Sequence, residues 1–213
     1  MGYLLTTSDG KTVRCATGVV AVSPVPTGVL IGEHYYPYTQ IGSRIWTTQN
    51  LYEPLGNFGN TTGTDSCWVD YEVNSPKGML YEIDGFYNSS RAARQDLEAM
   101  LPTGWRIPTF SDVQDLFSAA NTQWEPLTLP AYNGTDTLGF HAQLMTPMAI
   151  DHASPDRYPL GRNTVCKFIM IPYTVNGDSN NIFQLYHLNA GERMTVFGDN
   201  GAWRVCIRVC KDA

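Results

Sequence analysis

Charged side chains are few in this chain. They make up 16% of its 213 residues, where an ordinary soluble domain carries about 25%. The 14 Lys and Arg residues stand against 20 Asp and Glu residues and form no basic run. Phosphate contacts dominate affinity for nucleic acids, so this balance argues against a nucleic-acid partner. Long apolar runs are missing as well. No stretch approaches the ~20 residues that span a bilayer, and no membrane span is expected. The opening "MGYLLTTSDGKTVRCATG" lacks a basic start, a long apolar run and a small-residue cleavage site, so it does not read as a secretory leader.

Cysteine is also in short supply. The five are Cys15, Cys67, Cys166, Cys206 and Cys210, an odd number that argues against a complete disulfide framework. Cys206 and Cys210 stand at i and i+4 of an expected strand, on one face but roughly 13 Å apart, beyond disulfide reach. No Cys-x-x-Cys and no His/Cys grouping has zinc spacing. The expectation is reduced, mostly buried thiols, with no metal and no cofactor. His34, His141, His152 and His187 are scattered singly, and Asp84, Asp112 and Asp115 read as helix caps or water-facing carboxylates. No catalytic residue is assigned.

Gly, Asn, Thr, Ser, Tyr and Pro fill the space that charge leaves. Such a surface is hydrated without strong charge, as is common in extracellular and virion modules. The chain is nonetheless 43% hydrophobic, and a domain of this length buries roughly 70% of its unfolded surface. Residues 1–28 read as an arm: two short strands joined at Asp9-Gly10, then a stiff "SPVPTG" connector. The arm is too small for its own core. It reads equally as an edge hairpin of the same domain or as a docking device. From Val29 onward, "VLIGEHYYPYTQIGSRIWTTQNL" alternates as two strand-like runs, and "MLYEIDGFY" is a further strand.

Two helices follow. In "SSRAARQDLEAML", Ser89 or Ser90 can cap, and Ala93, Leu97, Met100 and Leu101 fall on one face. In "TFSDVQDLFSAA", Thr109 can cap with Asp112 three places on, ahead of a stripe at Val113, Leu116, Phe117 and Ala120. Beyond residue 125 the pattern gives no helix, only short strands and long polar loops. It ends in a hairpin, "ERMTVFGDNGAWRVCIRVC", turning at Gly198-Asp199-Asn200-Gly201. The order predicts an α+β domain, 29–213, with a mostly antiparallel sheet and a short N-terminal β arm, 1–28.

Five blocks then stand in a recognisable order: "IGSRIWTTQNL", "GMLYEIDG", "LPTGWRIPTFSDVQDLF", "NGTDTLGF" and "WRVCIRVCKD". Together they resemble the Fibrobacter succinogenes major paralogous domain family, which belongs with the C-type-lectin-like folds. The resemblance covers about residues 29 to 212. It departs from the family at Leu101, where a cysteine often stands, at "TTQNL", and at "CKFIMIPYT" in place of a tryptophan-rich serine motif. A C-type-lectin-like head is what it implies. Such lectins hold sugar through calcium on Glu-Pro-Asn and Trp-Asn-Asp motifs. Glu53-Pro54-Leu55 and Glu125-Pro126-Leu127 match only the first two letters, and leucine supplies no side-chain oxygen to calcium.

Trp46, Trp105 and Trp203 are the expected core tryptophans. Trp105, in a Pro-flanked corner, is expected to plug the core beneath Trp46, with Arg106 paired to a carboxylate or carbonyl. The ligand candidates lie in the second half, where the resemblance places contact loops: Tyr173, Asn176, Asp178, Asn180, Asn181 and Tyr186 combine aromatic faces with amides, suited to proteins or neutral sugars. The arm, the neutral surface and the lectin-like resemblance suggest a non-enzymatic virion protein of a tailed bacteriophage, a head fibre or capsid-decorating subunit. It would be assembled in the host cytoplasm, oligomeric, docked to other virion proteins through the arm, and able to meet a host-surface glycan or protein. Two other readings stay open: a bacterial surface adhesin whose export signal has been trimmed, and a thiol enzyme related to formylglycine-generating enzymes, using Cys206 and Cys210.

Overall fold

The computed structural model describes residues 3–6, 12–15, 28–55, 67–69, 79–82, 92–143, 148–149, 158–159, 165–175, 178–186, 193–197 and 203–213. The N-terminal strands β1 (Tyr3–Thr6) and β2 (Thr12–Cys15) pair antiparallel, from Tyr3↔Cys15 to Thr6↔Thr12, in a two-stranded sheet of their own. Next comes a meander of three strands where two runs were expected: β3 (Gly28–Ile31), β4 (His34–Ile41) and β5 (Arg44–Thr47). Glycine at the first position of each two-residue turn splits the run, because Gly32 and Gly42 both take a left-handed φ. The last strand, β14 (Cys210–Asp212), joins this meander beside β5 and completes the order β14-β5-β4-β3.

Helix α1 (Ala92–Met100) buries Ala93 and Leu97, while Met100 and Leu101 stand partly covered beside them. Residues 89–90, its expected caps, lie outside the described residues. Helix α2 (Phe110–Ala119) starts as its sequence dictates: Thr109 takes an extended conformation, its hydroxyl accepts from the Asp112 amide, and its own amide donates to the Asp112 carboxylate, closing a capping box. Its stripe of Val113, Leu116 and Ala120 is buried. Two short 3-10 turns, Glu125–Leu127 and Pro130–Tyr132, follow where no helix was expected, each with a proline in its first turn.

The second half corrects two expectations. The "PYTVNGDSNN" stretch is not a loop within a run of short strands. It belongs to a long hairpin of β10 (Val165–Val175) and β11 (Asp178–Tyr186), flanked by β12 (Arg193–Phe197). The expected final hairpin of β12 with the chain's last strand is not formed. β12 pairs with β11, whereas β13 (Trp203–Val205) sits between β7 (Met79–Glu82) and β8 (Met148–Ala149). The remaining strands of that sheet are β6 (Cys67–Val69) beside β7 and β9 (Tyr158–Pro159) beside β8. The intended turn, 198–201, lies outside the described residues. All strand pairs described are antiparallel, and with two α-helices among the described residues the fold is α+β.

The β14-β5-β4-β3 sheet divides the core. Tyr36, Val29, Ile31, Trp105 and Ile107 pack on one side with α1, and Trp46, Ile41, Phe140, Phe168 and Cys210 pack on the other with α2. Trp105 is therefore not beneath Trp46. Arg106 bridges Cys210, which pairs with Trp46, so alternation sends the neighbouring Trp105 to the opposite face. There its ring lies against Tyr38, 5.6 Å between centroids, with Lys211 Nζ 5.5 Å above it. Trp46 instead meets Phe140 edge-on. Trp203 lies in β13.

Candidate functional site

The corner 102–109 meets the start of α2 in the densest charge cluster among the described residues. Asp112, 1% exposed, accepts on Oδ1 from Arg44 Nε and Arg106 Nη2, and on Oδ2 from Arg106 Nε, the Thr109 amide and the Thr109 hydroxyl. Asp212 adds a second carboxylate to Arg106 at 2.8 Å. Burial alone would raise the Asp112 carboxyl, but the bonds from Arg106, Thr109 and Arg44 outweigh it and hold the group well below the usual carboxylate range. The bond to Asp112 in turn raises Arg106 above its ordinary value. Asp112 is thus a cap, as its spacing indicated, and also a buried counter-ion, which spacing did not show.

A second buried polar knot lies where the blocks "TTQNL" and "CIRVC" meet. Arg208 is buried and donates to Asn50 Oδ1, the Thr47 carbonyl, the Phe140 carbonyl and, at 3.2 Å, the His141 carbonyl. Its guanidinium also lies 4.9 Å from the Phe140 ring centroid. Asn50 reaches Cys206 Sγ at 3.2 Å. The block residues Trp46, Asn50, Tyr81, Trp105, Phe140 and Arg208 are all buried. Their chemistry is spent on joining segments that are distant in sequence.

A third arrangement surrounds Glu53, which is buried although it opens one of the false calcium motifs. Its carboxylate accepts from the Tyr36 hydroxyl and from His34 Nδ1, both at 2.8 Å, and from the Glu33 amide at 3.3 Å. The Tyr36 oxygen also accepts from the Tyr52 amide, and Tyr81 bonds the Glu53 backbone. Burial, opposed by the Tyr52 amide and reinforced by Glu53, pushes the Tyr36 hydroxyl far above its usual value. Sequence reasoning missed this cluster. The available signal was a repeated pattern, Ile-Gly-Glu-His at 31–34 and Ile-Gly-Ser-Arg at 41–44.

Cys206 and Cys210 are buried and in no disulfide, and burial, with Asp112 close by, pushes the Cys210 thiol well up, away from the thiolate a nucleophile needs. His141 pairs with Asp136 at 3.1 Å; His152 and His187 lie outside the described residues. Asp115 bonds Ser43, and Asp84 lies outside the described residues. Among the described residues no cluster of His, Cys, Asp and Glu is fit to hold a metal ion. No described helix is long and apolar enough to cross a membrane.

Of the ligand candidates, Tyr173 and Asn180 are cross-strand partners in the β10–β11 hairpin. Asp178 pairs with Val175 at its turn, and Tyr186 with Val165 at its far end. Asn181 lies in β11, and Asn176 falls outside the described residues. Of the five described positions, Tyr186 lies eight residues along β11 from Asp178, roughly 27 Å at strand rise. A groove of about 350 Å3 lies elsewhere, at the proline-flanked corner, lined by Leu101, Thr103, Trp105, Arg106 and Ile171. The chain matches no family model, no curated protein and no solved structure.

Proposed function

We propose that this chain is a non-enzymatic structural protein of a tailed-bacteriophage particle, a head fibre or capsid-decorating subunit. Residues 29–213 are its C-type-lectin-like head, and the β1–β2 hairpin docks it to the particle or to a neighbouring subunit. The observation that carries this reading is the self-contained sheet of β1 and β2. A two-stranded hairpin is marginal in water and needs a surface to pack on. The use of Asp112, Arg106, Arg208 and Asn50 as struts supports a scaffold rather than a catalyst. Gold-labelled antibody on purified particles of the phage that encodes the chain should decorate the capsid. Particles that carry none of the protein would refute the reading. Val13→Pro breaks the ladder opposite Leu5 and should abolish attachment to particles while leaving the head folded.

A further inference from the structure

Asparagine followed by glycine is the pair in which a backbone most readily attacks its own side chain, because glycine has no Cβ to shield its amide nitrogen. The chain holds three such pairs, beginning at Asn133, Asn176 and Asn200. Asn133-Gly134 lies among the described residues and the other two lie outside them. Asn133 is exposed and ends the 3-10 turn Pro130–Tyr132 in the left-handed region, at φ +64° and ψ +15°. Asparagine tolerates that conformation better than most residues. Exposure and sequence alone would make this a fast site of conversion to aspartate and isoaspartate.

The folded turn withholds the attack. To close the five-membered ring, the Gly134 nitrogen and the Asn133 Cβ must lie eclipsed about the Cα–C bond. At ψ +15° the Gly134 nitrogen is instead nearly eclipsed with the Asn133 nitrogen, and tetrahedral geometry then holds Cβ well away from it. Rotating ψ into line would swing Gly134 off its seat. Its amide donates to the Leu129 carbonyl at 3.2 Å, and the Thr135 amide beyond it donates to the Glu125 carbonyl at 2.8 Å. Gly134 is also pressed onto the buried Thr128, where a Cβ would stand 1.8 Å from the Thr128 carbonyl oxygen. Glycine is needed here for close packing, and that same packing keeps its nitrogen from the side chain beside it.

We propose that Asn133 is a modification site gated by the fold: it converts to isoaspartate when the 128–135 turn opens, and the converted turn does not close again. In the first step the Gly134 nitrogen gives up its proton and bonds to Asn133 Cγ. The Cγ–Nδ2 bond breaks, and the side-chain nitrogen leaves as ammonia with that proton. Water then opens the cyclic imide. Cleavage between the Gly134 nitrogen and Cγ gives ordinary aspartate. Cleavage between that nitrogen and the Asn133 main-chain carbonyl gives isoaspartate, in which the chain runs through the former side chain and is longer by one methylene. Gly134 has no spare space against Thr128, so the longer link displaces it and breaks its bond to Leu129. Each conversion is an irreversible record that the turn has opened. This inference stands apart from the particle reading.

Ageing the full chain in mildly alkaline buffer, folded or in concentrated guanidinium chloride, tests the gate. Digestion and mass spectrometry read the peptide that contains Asn133 apart from the other two pairs. The bonds from Gly134 and Thr135 must open together, so conversion at Asn133 should run at least about tenfold slower in the folded chain. Equal rates overturn the proposal. Refolding the aged chain tests the second half. Hydrogen exchange is read on the same peptide, whose isoaspartyl and aspartyl forms separate by chromatography. The isoaspartyl form should exchange at least about tenfold faster at Gly134 than the aspartyl form, which carries the same charge without the longer chain, while α2 stays protected in both. Isoaspartyl and aspartyl forms that exchange alike overturn it.

Discussion

The turn between β3 and β4 and the turn between β4 and β5 share one design and are secured by different chemistry. Each places glycine first, at φ +55° for Gly32 and +60° for Gly42, with a distant carboxylate where a Cβ would stand. Each lets the next amide donate to that carboxylate, Glu33 to Glu53 and Ser43 to Asp115. Behind Glu53 stand a hydroxyl and an imidazole, and the carboxylate is buried. Beyond Ser43 stands Arg44, clamped to Asp112 one helical turn before Asp115. Burial fixes the first turn, so it has little room to relax. Guanidinium charge fixes the second, and Asp115, partly exposed, can move aside.

The largest expected effect comes from removing the charge behind the second turn. Asp112→Ala leaves Arg44 and Arg106 with only the exposed Asp212 as a shared counter-ion and removes the side-chain half of the capping box. The charged hydrogen bonds lost are worth about 1.5–3 kcal/mol, readable as a lower urea midpoint. The two turns should also differ in pH response. Asp112 is depressed in the folded chain, so its stabilisation is present above the unfolded value near 3.9 and is lost as pH falls below it. Tyr36 is raised, so its contribution is full below about 10 and is lost as pH rises beyond it. Cys210, also raised, adds to the alkaline loss from about 8.5 upward. Tyr36→Phe should therefore flatten part of the alkaline limb of a stability profile and leave the acid limb unchanged. Asp112→Asn should do the reverse. An acid limb unchanged by Asp112→Asn would remove the charge from the account.

Alanine at the two glycines sharpens the comparison at the next level down. Both substitutions force a left-handed φ, a cost of about 1–2 kcal/mol. At Gly32 the added Cβ also comes within 2.4 Å of the buried Glu53 Oε2, whereas at Gly42 it meets the movable Asp115 Oδ2 at 2.7 Å. Gly32→Ala should be worse by at least about 1 kcal/mol, the cost of disturbing a buried hydrogen bond. Equal losses in chemical denaturation would mean that Glu53 yields as readily as Asp115.

Much of this was legible where one local rule decides the outcome. Thr109 and Asp112 announce a capping box, and the stripe at Val113, Leu116 and Ala120 announces the buried side of α2. Gly-polar pairs punctuate the meander. What was not legible required knowing which distant segments meet. Asn50 and Arg208 lie 158 residues apart, and no period or spacing links them before the chain has folded. Trp105 is buried on the side of the sheet opposite Trp46, because its face depends on the bridge between Arg106 and Cys210. The long β10–β11 hairpin was hidden by its polar residues. Asn and Asp favour turns on local grounds, and the cross-strand pairing of Tyr173 with Asn180 overrides that preference.

The smallest expected effect tests how far the charge cluster extends. Asp212 is 74% exposed, at 2.8 Å from Arg106 and 3.5 Å from Arg44. Arg106 already has the buried Asp112 as a partner, so Asp212 adds attraction in a region that water and salt screen. An exposed pair of this kind contributes about 0–1 kcal/mol. Asp212→Asn should therefore shift the urea midpoint only slightly, and the shift should vanish in about 1 M salt, where the screening length is about 3 Å. A loss near that of Asp112→Ala would mean that both carboxylates and both arginines act as one unit. The second turn would then be as rigidly held as the first, and the contrast between burial and charge would collapse at that point.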